Sequence, residues 1–282
     1  MSAARVSDFY RTAFVTGAST GLGRAFAEML MSEGVRVWGT SRDPRRLEPL
    51  ATAFGALFFP VALELRNGPQ AEEIFLAADR DAGGFDIVVN NAGFGLFAEF
   101  AATDFALWHD QIDVMLVQPA RLSRAALRAM LDRPGHQRQG VIVNISSIAA
   151  EFPLPFQSAY NVAKAGLSAL SESLMAEVAG SKIAIIDFRP GDYRTEIEHS
   201  VRRPQGTNTP RMARAWAAFE AMMRVGLEPT HAARALRRAL LRRRSATVRT
   251  GRFFQAVFAP FLARFGSLAL KRRMQARYFD AS

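Results

Sequence analysis

Cysteine is absent from the 282 residues, so disulfide cross-links, thiolate metal sites and cysteine nucleophiles are excluded. The four histidines, His109, His136, His199 and His231, stand far apart and form no HxxxH-type spacing, so no metal centre is expected. No stretch reaches the roughly 18 apolar residues of a membrane span, and residues 1–19 hold no apolar run of signal-peptide length. These absences predict a soluble protein of a cytoplasm-like compartment. Lysine is scarce too, with three against 33 arginines, and acidic residues nearly vanish from the last third. Residues 1–201 carry 18 basic and 23 acidic side chains, whereas residues 202–282 carry 18 and three. The asymmetry fits either a surface for something anionic or an arginine-rich composition as such.

What is present is a chain with 49% hydrophobic residues, long enough to bury a sizeable core. Short, almost continuously apolar runs at 12–16, 35–39, 56–61, 86–90, 141–145 and 183–188 predict strands covered on both faces. Amphipathic stretches at 22–32, 44–53, 70–82, 104–132 and 158–179 predict the helices between them. This alternation predicts an α/β fold built on a doubly wound parallel sheet. A further helix over 230–244, capped by Thr230 after Pro229, and a short strand over 246–249 bring the sheet to about seven strands. No repeat or low-complexity linker divides the chain, so a single domain is expected.

The turn after the first strand reads Thr16-Gly17-Ala18-Ser19-Thr20-Gly21-Leu22-Gly23. Glycines between a strand and a helix permit a tight turn and close approach to a pyrophosphate, which the free N–H groups of the helix start favour. At the end of the second strand, Arg42 precedes the first carboxylate, Asp43. An arginine there suits a 2′-phosphate and a carboxylate would suit a 2′-hydroxyl, so NADP(H) is favoured over NAD(H). Tyr160 and Lys164 are four apart, on one face of a predicted helix, and Ser147 lies thirteen residues before Tyr160 at a strand end.

Five segments in this order, TGASTGLG (16–23), NNAG (90–93), NISS (144–147), YNVAK (160–164) and RPGDYRT (189–195), make the chain resemble the short-chain dehydrogenase/reductase family, a Rossmann-type fold. The resemblance covers residues 12–195. It implies Tyr160 as general acid/base, Ser147 as hydrogen-bond donor to the substrate oxygen, and Lys164 as both ribose contact and electrostatic partner of Tyr160. A nearby ammonium and an oxidised nicotinamide are expected to lower the phenol pKa. Gly17, Ser19, Thr20, Gly21, Leu22, Gly23 and Arg42 are then cofactor contacts. Glu64 and Leu65 fall beside the adenine, Asn91, Ala92 and Gly93 beside its ribose. Pro190, Gly191, Tyr193 and Thr195 cover the nicotinamide carboxamide.

One departure stands out. Met115 occupies the position where the family carries an asparagine that keeps a helix kink and a proton-relay water. A thioether cannot donate a hydrogen bond, so the relay is rebuilt, turnover is slow, or catalysis is lost.

Residues 191–229 are expected to form a substrate lid, with Trp216, Phe219, Met222 and Met223 as pocket candidates. Residues 230–282 form a basic, Phe-rich extension, in which Phe253, Phe254, Phe258, Phe261 and Phe265 alternate with Arg252, Arg264, Lys271, Arg272 and Arg273, and Pro260 interrupts any single helix. Such a segment can meet a membrane interface, close the substrate site, or pack on a second subunit. No nucleic-acid module accompanies the charge. The reading is an NADP(H)-dependent oxidoreductase, a homodimer or homotetramer, that interconverts a carbonyl and an alcohol on a hydrophobic substrate of steroid, retinoid or lipid type. A dinucleotide-binding regulatory or scaffold protein with weakened catalysis is the alternative.

Overall fold

The computed structural model describes residues 4–133, 139–195, 201–204, 209–258, 261, 265–267, 269–270 and 272–273. His136, His199, Pro260, Arg264 and Lys271 lie outside the described residues. Seven strands form one parallel sheet in the order β3-β2-β1-β4-β5-β6-β7. They are β1 (Thr12–Val15), β2 (Arg36–Ser41), β3 (Phe58–Ala62), β4 (Ile87–Asn90), β5 (Gly140–Ile145), β6 (Ile183–Pro190) and β7 (Ala246–Thr250). The α/β expectation and the strand count hold, with boundaries shifted by one or two residues.

Successive side chains along each strand pack on opposite faces, which explains why the sequence shows apolar runs rather than alternation. Ala13, Val15, Val37, Ile87, Val141 and Ile186 join one core. It includes α1 (Gly21–Ser32) and α8 (Pro229–Leu241). Phe14, Trp38, Val88, Ile142 and Ile185 join the other core, against α3 (Gly68–Ala82), α5 (Gln118–Leu131) and α6 (Ser158–Glu177). The remaining helices are α2 (Glu48–Phe54), α4 (Phe105–Ile112) and α7 (Pro210–Arg224).

Two local expectations are corrected. Residues 104–132 are not one helix: α4 and α5 are joined by a π-turn over Asp113–Val117. Pro119 sits in the first turn of α5. It has no N–H to give the carbonyl four residues back, that of Met115, and its ring crowds that turn. The cap of α8 is Glu228 rather than Thr230, with Pro229 in the first turn, where its missing N–H is not needed.

Candidate active site

The C-terminal ends of the strands open onto a cavity of about 1150 Å³. Its first wall is the turn from β1 to α1. Gly17 and Gly21 take positive φ, +66° and +56°, which side chains rarely adopt. The Gly17 N–H donates to Thr40 Oγ1 (3.2 Å), and the Ala18 N–H to the Thr40 carbonyl (2.8 Å). Thr16 Oγ1 accepts from the backbone N–H of Asn91 (2.8 Å) and Ala92 (3.0 Å), tying the β4 end to the turn. The Asn91 carboxamide donates to the carbonyls of Thr16 and Gly17. Ser19, Thr20, Gly21 and Leu22 line the cavity at the start of α1, where free N–H groups and the helix dipole favour an anion. Gly23 does not line it. A Cβ there would collide with the Gly17 carbonyl oxygen, so this glycine allows helix and turn to close on each other. This turn fits a dinucleotide pyrophosphate: the backbone is fixed, small and rich in donors.

Arg42 lines the cavity, is exposed, and has no ion-pair partner among the described residues. The nearby carboxylate is engaged elsewhere, since Asp43 accepts from Arg45 Nε and Nη2, each at 3.0 Å. Arg46 lines the same wall. Glu64 and Leu65 also line the cavity, and the exposed Glu64 carboxylate accepts from the Arg66 N–H at 3.1 Å. Ala92 and Gly93 lie beside Met115 in the lining. A Cβ on Gly93 would sit 2.8 Å from the Met115 methyl. The hydrogen-bond donor to that thioether is Gln111, one helical turn earlier, at 3.6 Å.

The strand ends bring Ser147, Tyr160 and Lys164 to one place. Ser147 follows β5 in extended backbone, and its hydroxyl accepts from the Ala149 N–H (3.0 Å) and stands close to Tyr160 in the cavity lining. The Lys164 ammonium is buried, 5.7 Å from the Tyr160 ring centre, and donates to the Ile145 carbonyl at 2.6 Å. Burial pulls the Lys164 pKa down to about 8, opposed by the negative charge of Asp187. Burial also raises the Tyr160 pKa, against the Ser147 hydroxyl and with help from Asp192. The expected lowering of the phenol pKa is therefore not a property of the protein alone: loss of water outweighs the nearby hydroxyl.

Beneath these groups lies a polar row that the sequence reading missed. Asn90, Asn144 and Asp187 are lateral neighbours on β4, β5 and β6. Each falls one strand period after an apolar residue of the α5/α6 face. Asn90 donates to Asn144 (2.8 Å) and Ser123 (2.9 Å), and Asn144 donates to Ser171 (2.9 Å). Asp187, fully buried, accepts from Ser168 (2.6 Å), Arg189 Nε (2.7 Å) and Ser146. Arg189 reaches on to Glu151 and Glu172, and Arg249 also pairs with Glu151. The available signal was a charge, Asp187, in a strand otherwise read as core, with Arg189 just past the predicted strand end.

Pro190, Gly191, Tyr193 and Thr195 line the cavity opposite the glycine turn. Their segment is fixed by Gly191 N–H to the Thr250 carbonyl (2.7 Å) and Arg194 N–H to the Leu227 carbonyl (2.9 Å). The Tyr193 hydroxyl meets Thr250 Oγ1 (2.7 Å) and His231 Nδ1 (3.0 Å). Of the lid candidates, Phe219, Met222 and Met223 line the cavity beside Phe94, Phe152 and Leu154. Trp216 does not. It packs edge-on against Phe97, ring centres 5.1 Å apart, with the Arg203 guanidinium 4.3 Å over its ring.

A glycine turn at the first strand end, a Ser/Tyr/Lys group at the fifth, and a doubly wound sheet define a nicotinamide-dependent oxidoreductase class. Residues 11–206 match the family model for short chain dehydrogenases, and the chain belongs to that family. It is 32% identical over 199 residues to a 3-oxoacyl-[acyl-carrier-protein] reductase of Vibrio cholerae, covering 71% of this chain and 80% of that protein. A short chain dehydrogenase of Pseudocercospora fijiensis is also 32% identical, over 66% of this chain and 61% of its own length. The crystal structure of a short-chain dehydrogenase from Streptomyces avermitilis superposes with a TM-score of 0.81 at 29% identity, covering 96% of this chain and 97% of that one. A serine dehydrogenase in complex with NADP+ superposes with a TM-score of 0.73 at 26% identity, covering 85% and 94%.

Proposed function

We propose that the chain is an NADP(H)-dependent carbonyl reductase acting on an apolar ketone or aldehyde. The observation that carries this is the Ser147–Tyr160 hydroxyl pair above the Lys164 ammonium, in a cavity walled by Phe94, Phe152, Leu154, Phe219, Met222 and Met223. The glycine turn and the α1 N-terminus would hold the pyrophosphate, and Arg42 with Arg46 the 2′-phosphate. Bound nicotinamide supplies the hydride.

Every other part of the chemistry belongs to side chains. Ser147 Oγ donates a hydrogen bond to the substrate carbonyl oxygen and stabilises the charge that develops there. Tyr160 gives its proton to that oxygen, and its high pKa in the protein keeps the proton in place until the oxygen becomes basic. The phenolate left behind is stabilised by Lys164, whose ammonium persists at neutral pH because its pKa is about 8. The apolar wall favours an apolar substrate. The 191–229 segment serves as its lid, and the protein works in a cytoplasm-like compartment.

The test is NADPH oxidation by the purified protein over a panel of apolar ketones and aldehydes, with Tyr160→Phe alongside. Turnover that disappears in the variant while NADPH still binds is the expected result. NADPH binding without turnover on any member of the panel favours the binding-protein reading, for which Met115 is the motive.

A further inference from the structure

Among the described residues, the C-terminal extension presents large apolar side chains to solvent. Between Glu228 and Asp280 the chain holds no acidic residue and 13 basic ones. In the described part of that stretch, large apolar side chains face solvent: Phe253 is 75% exposed, Phe258 44%, Phe261 58% and Phe265 68%. Arg252, Arg272 and Arg273 are exposed among them. Phe254 pairs with Phe258 (ring centres 5.6 Å) and Phe261 with Phe265 (5.0 Å), and exposed aromatic pairs of this kind mark a contact surface, since single soluble domains seldom leave several large rings uncovered.

The same segment has an inner face on the cavity. Gln255, in the π-turn Phe254–Phe258, is buried, accepts from the Asp192 N–H at 3.2 Å and donates to the Asp192 carboxylate. Phe254 lines the cavity and is 40% exposed, so it stands at the rim.

We propose that Arg252, Phe253, Phe258, Phe261, Phe265, Arg272 and Arg273 form a peripheral attachment surface for an anionic phospholipid bilayer, with the mouth of the cavity at the lipid boundary. Aromatic rings settle at the headgroup level, and arginines beside them reach phosphate while their stems stay apolar. A second copy of the chain fits less well. A twofold contact through this face would set one cluster of unbalanced arginines against another. A bilayer supplies both what the rings need and the opposite charge. The route of substrate entry rests on the apolar-substrate reading above; attachment does not.

The test is co-sedimentation of the full chain, without substrate or cofactor, with vesicles of phosphatidylcholine alone or mixed with phosphatidylglycerol. Binding to the mixed vesicles only, weakened by salt, is expected. Each neutralised arginine at such a surface weakens partition about fivefold, so Arg272→Gln with Arg273→Gln weakens it about 25-fold. Phe253→Ser and Phe265→Ser each weaken it about tenfold. An unchanged melting temperature shows that these surface variants still fold. No sedimentation with the mixed vesicles, or equal sedimentation with both kinds, overturns the proposal. So does an oligomer that the Phe variants dissociate while vesicle binding is untouched, which assigns the face to a second subunit. Failure of the carbonyl panel would leave this vesicle result standing.

Discussion

Asn144 and Asp187 are register partners on neighbouring strands, and both side chains lie on the sheet face covered by α6. Asn144 meets Ser171 and Asp187 meets Ser168, while Lys164 stands one helical turn before Ser168. Asp187 therefore braces the helix that carries Lys164 and, through Ser146, the strand end that carries Ser147. Its charge also opposes the loss of the Lys164 proton. Asp187→Asn should let the Lys164 pKa fall further, so the alkaline fall in kcat should begin at lower pH. A melt should show a loss of about 3 kcal/mol, because Arg189 loses a buried partner. An unmoved pH profile with lowered stability would reduce Asp187 to a structural role.

Cofactor choice is tested at Arg42. Asp43 is the one carboxylate at this turn, and Arg45 holds both of its oxygens. That leaves Arg42 facing the cavity. Arg42→Ala should weaken NADPH binding about tenfold to a hundredfold, the range of a lost charge-assisted hydrogen bond, and leave NADH binding nearly unchanged. Equal losses for the two cofactors, measured by fluorescence titration, would remove the 2′-phosphate assignment.

Gly23 makes a prediction about packing rather than contact. Its neighbours are the Gly17 carbonyl oxygen and the Asn91 side chain, and the carbonyl is backbone that cannot swing aside. Gly23→Ala should push α1 off the turn, destabilise the fold by about 3 kcal/mol and abolish cofactor binding. Gly180→Ala provides the contrast: φ there is positive, +81°, unlike that of the helical Gly23, but nothing lies within 4 Å of the added carbon. It should bear only the backbone strain and keep its cofactor. Similar binding by both variants would show that the turn tolerates displacement.

Most of the fold was legible because the inner strands β1, β2, β4, β5 and β6 are buried on both faces and therefore read as apolar runs. The site was legible where a residue type has a single use at its position, as with the glycine turn or the Tyr160–Lys164 spacing. Three features were not. The break at Asp113–Val117 comes from Pro119, whose effect falls on the turn before it and not on its own position. Asp187 was absorbed into a predicted core strand, Arg189 was read only as the start of the RPGDYRT segment, and only the register shows that Asp187 continues a row with Asn90 and Asn144. Gln255 reaches Asp192 from 63 residues away, a pairing without local periodicity to announce it. Trp216 shows the converse: helical spacing placed it with Phe219 and Met223, but packing turned it toward Phe97.

Lys164 should also make the cofactor-free protein more stable in mild alkali. Its pKa is lowered from 10.5 to about 8 because burial disfavours the ammonium. Between those values the unfolded chain holds more protons than the folded one, so stability rises with pH across that window. Below it the full penalty applies. Lys164→Met keeps the bulk of the side chain and removes the charge. It should lose turnover, flatten the rise in stability between the two pKa values, and be more stable than the parent at pH 7 by about 2 kcal/mol, after the lost bond to the Ile145 carbonyl. Urea unfolding of parent and variant at a series of pH values isolates this residue, because other groups that titrate in the window contribute equally to both. Parallel curves would mean that the ammonium is solvated. The case for Lys164 as a desolvated charge under Tyr160 would then fail, although its place in the cavity would not change.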